Sequence, residues 1–384
     1  MQSPIPRPFG SVTLREKFHI LGTVLGLPAV LLWNIVTKPL VPHNREKRWK
    51  RVLIDTTLTT AFTGFNRVEL QYILGPSRPI IEKWATKAKT PIEVEDIGED
   101  ARLIWIGPKK TDKVILYLHG GAFSLSLQKP CLDFWKYILT ELKQRGQDVG
   151  FAMLEYSKPL SASITYVFME SHLTLYVALF PNATFPTPLR QAVRALEHLQ
   201  SSGMQVQNLQ ITGDSAGGNL VIQLLSHILH PLDNVPQVNL SAPILGAYPL
   251  SPWTRLIVPS GNRYDGIDTL NSKKTTDWGS EILQDVPESH NVYLEAANAS
   301  PTWFAGIDKV VSRVLITAGG NEMLVDDIIQ FNDLFAKHHK DVKFVIQNGG
   351  VHDDPFNDFF FGERNPVVGV LMPLIIDWFF DGFD

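Results

Sequence analysis

From about residue 90 onward, short runs of aliphatic and β-branched residues alternate with longer segments in which apolar positions recur every three to four residues. The short runs predict strands at Arg102–Ile106, Val114–Leu118, Val149–Leu154, Leu209–Thr212, Ala242–Ala247, Val314–Thr317 and Phe344–Gln347. The longer segments predict helices that include Pro188–Leu199, Gly217–His230, Val325–Lys337 and a closing apolar helix, Val367–Phe380. This order implies an α/β fold with a mostly parallel sheet, and strands so apolar require cover on both faces.

The N-terminal region follows another pattern. Phe18 to Val36 carries no Asp, Glu, Lys or Arg, and at about 19 residues it just reaches the length of a membrane-spanning helix. Gly22, Gly26, Pro28, His19 and Asn34 weaken the span, and no signal-peptide cleavage site precedes Lys38. Asn44 to Arg51 then places five basic residues and Trp49 directly after the apolar run, which suits anionic headgroups and an interfacial aromatic anchor. Two readings stand: residues 18–36 attach the protein to a membrane, or they form an amphipathic helix capping a substrate pocket. The first makes the protein membrane-associated, with the endoplasmic reticulum as candidate compartment; the second leaves it cytoplasmic. The basic flank favours a cytoplasmic catalytic domain, whereas sequons at Asn182, Asn239 and Asn298 would favour the lumen. The pattern divides the chain into an N-terminal anchor or cap region, residues 1–90, and a catalytic domain, residues 91–384.

Composition narrows the classes. A net charge of -4 gives no electrostatic footprint for nucleic acid, and the single cysteine, Cys131, excludes an intramolecular disulfide framework and a cysteine-based metal site. The pair His227/His230 has a metal-compatible spacing, yet no carboxylate or third histidine is placed to complete a site. No metal or cofactor is expected.

The chemistry begins at Gly213-Asp214-Ser215-Ala216-Gly217, a G-x-S-x-G turn between a strand and an apolar helix. Such a turn forces the serine backbone into a strained conformation that only small neighbours permit, and it lifts the hydroxyl above the sheet at a helix N-terminus. Ser215 is therefore the candidate nucleophile. Directly after Val114–Leu118 comes His119-Gly120-Gly121-Ala122-Phe123. Adjacent glycines let backbone N–H groups approach a developing oxyanion, which makes Gly120 and Gly121 candidate donors, joined by the Ala216 N–H from the elbow. His119 precedes the donors and reads as a residue bracing the loop. His352, on a glycine-bearing loop past the last predicted strand, occupies the expected place of a general base.

Together HGGAF and GDSAGGN resemble the hormone-sensitive-lipase-like branch of the α/β-hydrolase superfamily, with fungal esterases of the steryl-acetyl-hydrolase type as nearer relatives. The resemblance covers about residues 100–360 and departs from the branch where Ala122 replaces a third glycine. It implies an α/β-hydrolase fold and a Ser-acid-His triad in that chain order. In the turn after Val314–Thr317 it makes Glu322 the matching acid, with Asp326 at the second acidic position as the alternative. Relative to the family pattern, residues 158–178 read as an insertion of about 21 residues. That segment is either an enlarged lid or a translated intron, since Ser157-Lys158 can be encoded by AGTAAG, a splice-donor sequence.

These residues point to a serine carboxylesterase or deacetylase acting on a small or lipophilic ester. Trp253, Tyr264, Trp278, Tyr293 and Trp303 are expected to line its apolar pocket. Two alternatives remain open at this point: a biosynthetic enzyme using the same triad for acyl transfer, cyclisation or condensation, and a non-catalytic ligand-binding member of the fold.

Overall fold

The computed structural model describes residues 9–45, 47–156, 184–259, 261–360 and 369–384. The proposed insertion at 158–178 lies outside the described residues.

One eight-stranded sheet organises the chain, in the order β1-β2-β4-β3-β5-β6-β7-β8. The strands are β1 (Ile92–Gly98), β2 (Ala101–Ile106), β3 (Val114–Leu118), β4 (Gly150–Glu155), β5 (Leu209–Asp214), β6 (Gly246–Leu250), β7 (Val314–Gly319) and β8 (Val342–Gln347). The β1–β2 and β2–β4 pairs are antiparallel and the remaining pairs parallel. Side chains alternate across the pleat. Val114, Leu116 and Leu118 of β3 enter one core, and Ile115 and Tyr117 enter the other. The first core receives the helices Thr187–Ser201, Ala216–Leu229 and Val325–Phe335; the second receives Ser77–Ala88, Lys129–Gln144 and Leu371–Phe383. Helix Ser77–Ala88 falls in the region that the pattern assigned to the anchor or cap, but its Ile81 and Trp84 are buried in this second core.

Three expectations need correction. The strand expected at Ala242–Ala247 lies at Gly246–Leu250, and Ile244 makes only an isolated bridge to Val311. Pro249 is accommodated in this strand because β6 is registered on β7 only at Ala247 and Leu250, so its missing N–H costs little. Strand β1 was not expected, because its acidic residues break the apolar run. Finally, β1 and β8 are edge strands with half-exposed faces, so the double cover applies to β3 through β7.

The N-terminal apolar run forms helix α1 (Leu14–Thr37), opened by a capping box between Thr13 and Glu16. It has no buried residue, and Phe18, Leu21, Leu25, Leu32, Trp33 and Val36 are exposed. Helix α2 (Trp49–Gly64) packs against α1 and also holds the hydrolase body through Arg51. The Arg51 guanidinium bonds Asp55 at 2.6 Å, both oxygens of Asp354, and Asp358 at 3.3 Å. Asp354 in turn accepts the Val351 N–H at 2.9 Å and the Gln347 side-chain amide at 2.7 Å. One half-buried cation thus braces the loop that carries His352.

Removing one member of a buried ion network leaves the other charges uncompensated and costs about 3–5 kcal/mol. Arg51→Met is expected to lower the thermal midpoint by several degrees in a melt followed by circular dichroism. An unchanged midpoint would show that the network contributes little.

Candidate active site

The loops at the C-terminal ends of β3, β5, β6, β7 and β8 converge, as the parallel topology requires for a site of this kind. Ser215 stands at the β5 exit with φ 51° and ψ -117°. Two backbone bonds fasten this strained residue to β6 and its loop: its N–H donates to Leu250 O at 2.9 Å, and its carbonyl accepts from Trp253 N–H at 3.0 Å. Close packing explains the small neighbours, since a Cβ on Gly217 would overlap the Leu118 carbonyl oxygen. Asn219 ties the following helix to the same wall, its amide donating to the carbonyls of Trp253 and Leu294 at 2.6 Å each. The Ala216 N–H lies in the first turn of that helix and has no intrahelical acceptor.

The glycine loop differs from expectation at one position. The Gly120 N–H donates to Asp214 Oδ1 at 3.0 Å, and that oxygen also accepts the Tyr117 hydroxyl at 2.6 Å. Gly120 is therefore committed to bracing the loop against the elbow and is not a free donor. The next two amides, Gly121 and Ala122, have no acceptor among the described residues, and Ala122 and Phe123 both take positive φ in the tight turn that follows. His119 is buried and packs on the Tyr156 ring with centroids 4.6 Å apart. Its Nδ1 meets the Gly120 carbonyl at 2.7 Å, and burial lowers its pKa to about 4, so it is a neutral brace.

Glu322 and His352 come together. Glu322 Oε1 and His352 Nδ1 face each other at 3.6 Å, and neither atom has a hydrogen-bond partner among the described residues. The other oxygen of Glu322 is fixed by the Ser251 hydroxyl at 2.6 Å and the Gly319 N–H at 2.7 Å. Nε2 of His352 lies 3.3 Å from Asp353. Burial alone would lower the imidazole's pKa, but Asp353, Glu322 and Asp268 outweigh it and hold His352 well above its ordinary value. The alternative acid is displaced from the site: Asp326 is exposed and pairs with Arg263 at 2.7 Å.

Sequence reasoning missed Ser251 and Asp268. Ser251 could have been noticed as the residue before Pro252 at the strand exit, whereas Asp268 sits in a segment with no motif around it. The expected pocket aromatics are in part structural. Tyr293 and Trp303 pack around His230, the first through a 2.6 Å bond to its carbonyl, the second with ring centroids 4.1 Å apart. His227 and His230 are satisfied by the carbonyls of Pro236 at 2.8 Å and Trp303 at 2.7 Å, and no metal-compatible cluster occurs among the described residues.

Such an elbow and sheet define an α/β-hydrolase, and solved esterases share the fold. An esterase/lipase from an uncultured bacterium superposes with a TM-score of 0.58 at 19% identity, covering 87% of this chain and 98% of its own. An esterase of the bacterial hormone-sensitive lipase family gives 0.56 at 16% identity over 97% and 100%. Carboxyl esterase 2 of the fungus Tuber melanosporum gives 0.55 at 19% over 77% and 87%. The steryl acetyl hydrolase family model matches residues 104–360, and the chain belongs to that family. A Schizosaccharomyces pombe protein provisionally described as the steryl acetyl hydrolase mug81 is 22% identical over 290 residues, 72% of this chain and 68% of its own. The chain is accordingly a serine ester hydrolase.

Proposed function

We propose that the protein hydrolyses the ester of a small acyl group, acetate above all, on a lipophilic alcohol, with Ser215, His352 and Glu322 as its triad. The observation that carries this reading is the buried Glu322–His352 pair at 3.6 Å, held on loops that share the strand ends with the strained Ser215. Ser215 Oγ attacks the ester carbonyl while His352 Nε2 takes its proton. The tetrahedral oxyanion is received by the N–H groups of Gly121 and Ala216, and Gly120 keeps the loop in register through Asp214. His352 returns the proton to the leaving alcohol, and Glu322 stabilises the imidazolium. Water, deprotonated by His352, then releases the acyl group and regenerates Ser215.

The preference for a lipophilic alcohol is supported by the family description and by α1. Within Leu14–Leu40 an 18-residue window reaches a mean hydropathy of 1.9 and is unburied, which suits attachment to a membrane from which such a substrate partitions. In this reading α1 is the anchor, and the helices that follow it, from α2 on, belong to the catalytic body.

Glu322→Gln is expected to fold and to lower kcat for an acetyl ester by about 10³–10⁴-fold, because the imidazole loses its orienting charge. Asp326→Asn removes only an exposed ion pair and should leave kcat within about threefold. Steady-state hydrolysis of p-nitrophenyl acetate and of a steryl acetate checks both. Greater damage in the Asp326 variant at equal thermal stability would reassign the acid.

Deletion of residues 1–41 removes α1 and keeps Arg51. It should move activity from the membrane pellet to the soluble fraction without loss of specific activity. Full-length protein already soluble without detergent would contradict the attachment.

A further inference from the structure

Asp268 lies between β6 and helix Ser272–Leu283 and is completely buried. Its carboxylate reaches two loops at once. Oδ1 accepts the backbone N–H of His352 at 2.8 Å, and Oδ2 accepts the backbone N–H of Met323, the residue after Glu322, also at 2.8 Å. The Thr269 N–H adds a third bond to Oδ1 at 2.7 Å, and the Asp268 carbonyl accepts the Thr59 hydroxyl of α2 at 3.1 Å. At their bases the two loops are already joined by Gly320 N–H to Gln347 O and Asn321 N–H to Gly350 O, each 2.7 Å. Asp268 joins them again next to the two side chains that must meet.

We infer that Asp268 is a positioning residue for ester hydrolysis: its carboxylate fixes the register of His352 against Glu322 and places a further negative charge behind the imidazolium. This inference rests on the Ser215–His352–Glu322 reading above. A carboxylate is required because both oxygens receive N–H groups; an asparagine would turn its own N–H bonds toward one of the two amides and leave a buried donor unpaired. The register matters because a displacement of about 1 Å at a reacting group costs on the order of 10²-fold in rate.

The charges that face His352 are Glu322 on the β7 loop, Asp353 on its own loop, Asp214 at the end of β5, and Asp268. Burial raises the Asp268 carboxyl to about 6, against the pull of His352, so above that pH Asp268 is an anion that favours protonated His352. Replacing this anion with a neutral group therefore lowers the pKa of His352.

The test measures Asp268→Asn in the full-length protein against wild type and Glu322→Gln. For Asp268→Asn, kcat on p-nitrophenyl acetate is expected to fall about 10–100-fold with KM within about threefold. The acid limb of kcat/KM should move to lower pH by about half a unit to one unit. A folded variant with wild-type kcat and an unmoved limb, or with a change confined to KM, overturns the inference. If Glu322→Gln retains full activity, the triad reading itself fails; if it is inactive while Asp268→Asn behaves as wild type, only the positioning role fails. Should Asp268→Asn not fold, Asp268→Glu keeps the charge and both acceptors displaced by one methylene. Its acid limb should stay in place while kcat falls, and wild-type kcat in that variant overturns the inference.

Discussion

Ser215 is held at φ 51° and ψ -117°, a backbone state that costs a non-glycine residue on the order of 1–3 kcal/mol and persists only where its surroundings over-determine it. Here they do so through main-chain bonds to Leu250 and Trp253 and through contacts so close that Gly217 leaves no room for a Cβ against Leu118. The same elbow supplies Asp214, whose carboxylate gathers the Tyr117 hydroxyl and the Gly120 amide. The shape of the glycine loop is thereby tied to the conformation of the serine.

Around this unit the site gathers four carboxyl groups on a single imidazole. Asp214, Asp268, Glu322 and Asp353 are all within electrostatic reach of His352, in a region from which water is largely excluded. Burial pushes Asp214, Asp268 and Asp353 upward, and hydrogen bonds to backbone and hydroxyl donors offset part of that cost for the first two. An imidazolium formed at His352 is stabilised by this pre-set charge, which in the proposed mechanism supplies electrostatic preorganisation for ester hydrolysis. The N-terminal helices take part, because Arg51 braces Asp354 and Thr59 supports the Asp268 backbone. Helix α2, which packs against α1, and the histidine loop are thus mechanically continuous.

Much of this was legible in the sequence, for identifiable reasons. Ser215 and the glycine loop carry local signatures, because a strained turn admits few residue types, and the strands β3, β5 and β7 announce themselves as apolar runs. What local pattern did not reveal was set by partners far apart in the chain. The Gly120 amide looks free until Asp214, 94 positions later, is folded against it. Asp326 and Glu322 are equivalent in composition and differ only in which way the turn faces. Ser251 and Asp268 act through backbone amides of other loops and have no motif of their own. Strand β6 begins at Gly246, later than its apolar run, because its partners are set by β5 and β7.

The central claim is that Ser215 is an activated nucleophile at the end of β5. Treating the full-length protein with a fluorophosphonate and locating the adduct by peptide mass spectrometry tests it most directly. The account predicts a single phosphonyl group on the Ser215 hydroxyl, strongly diminished in the His352→Ala variant. An unlabelled protein, or label on another residue with Ser215 unmodified, would contradict it.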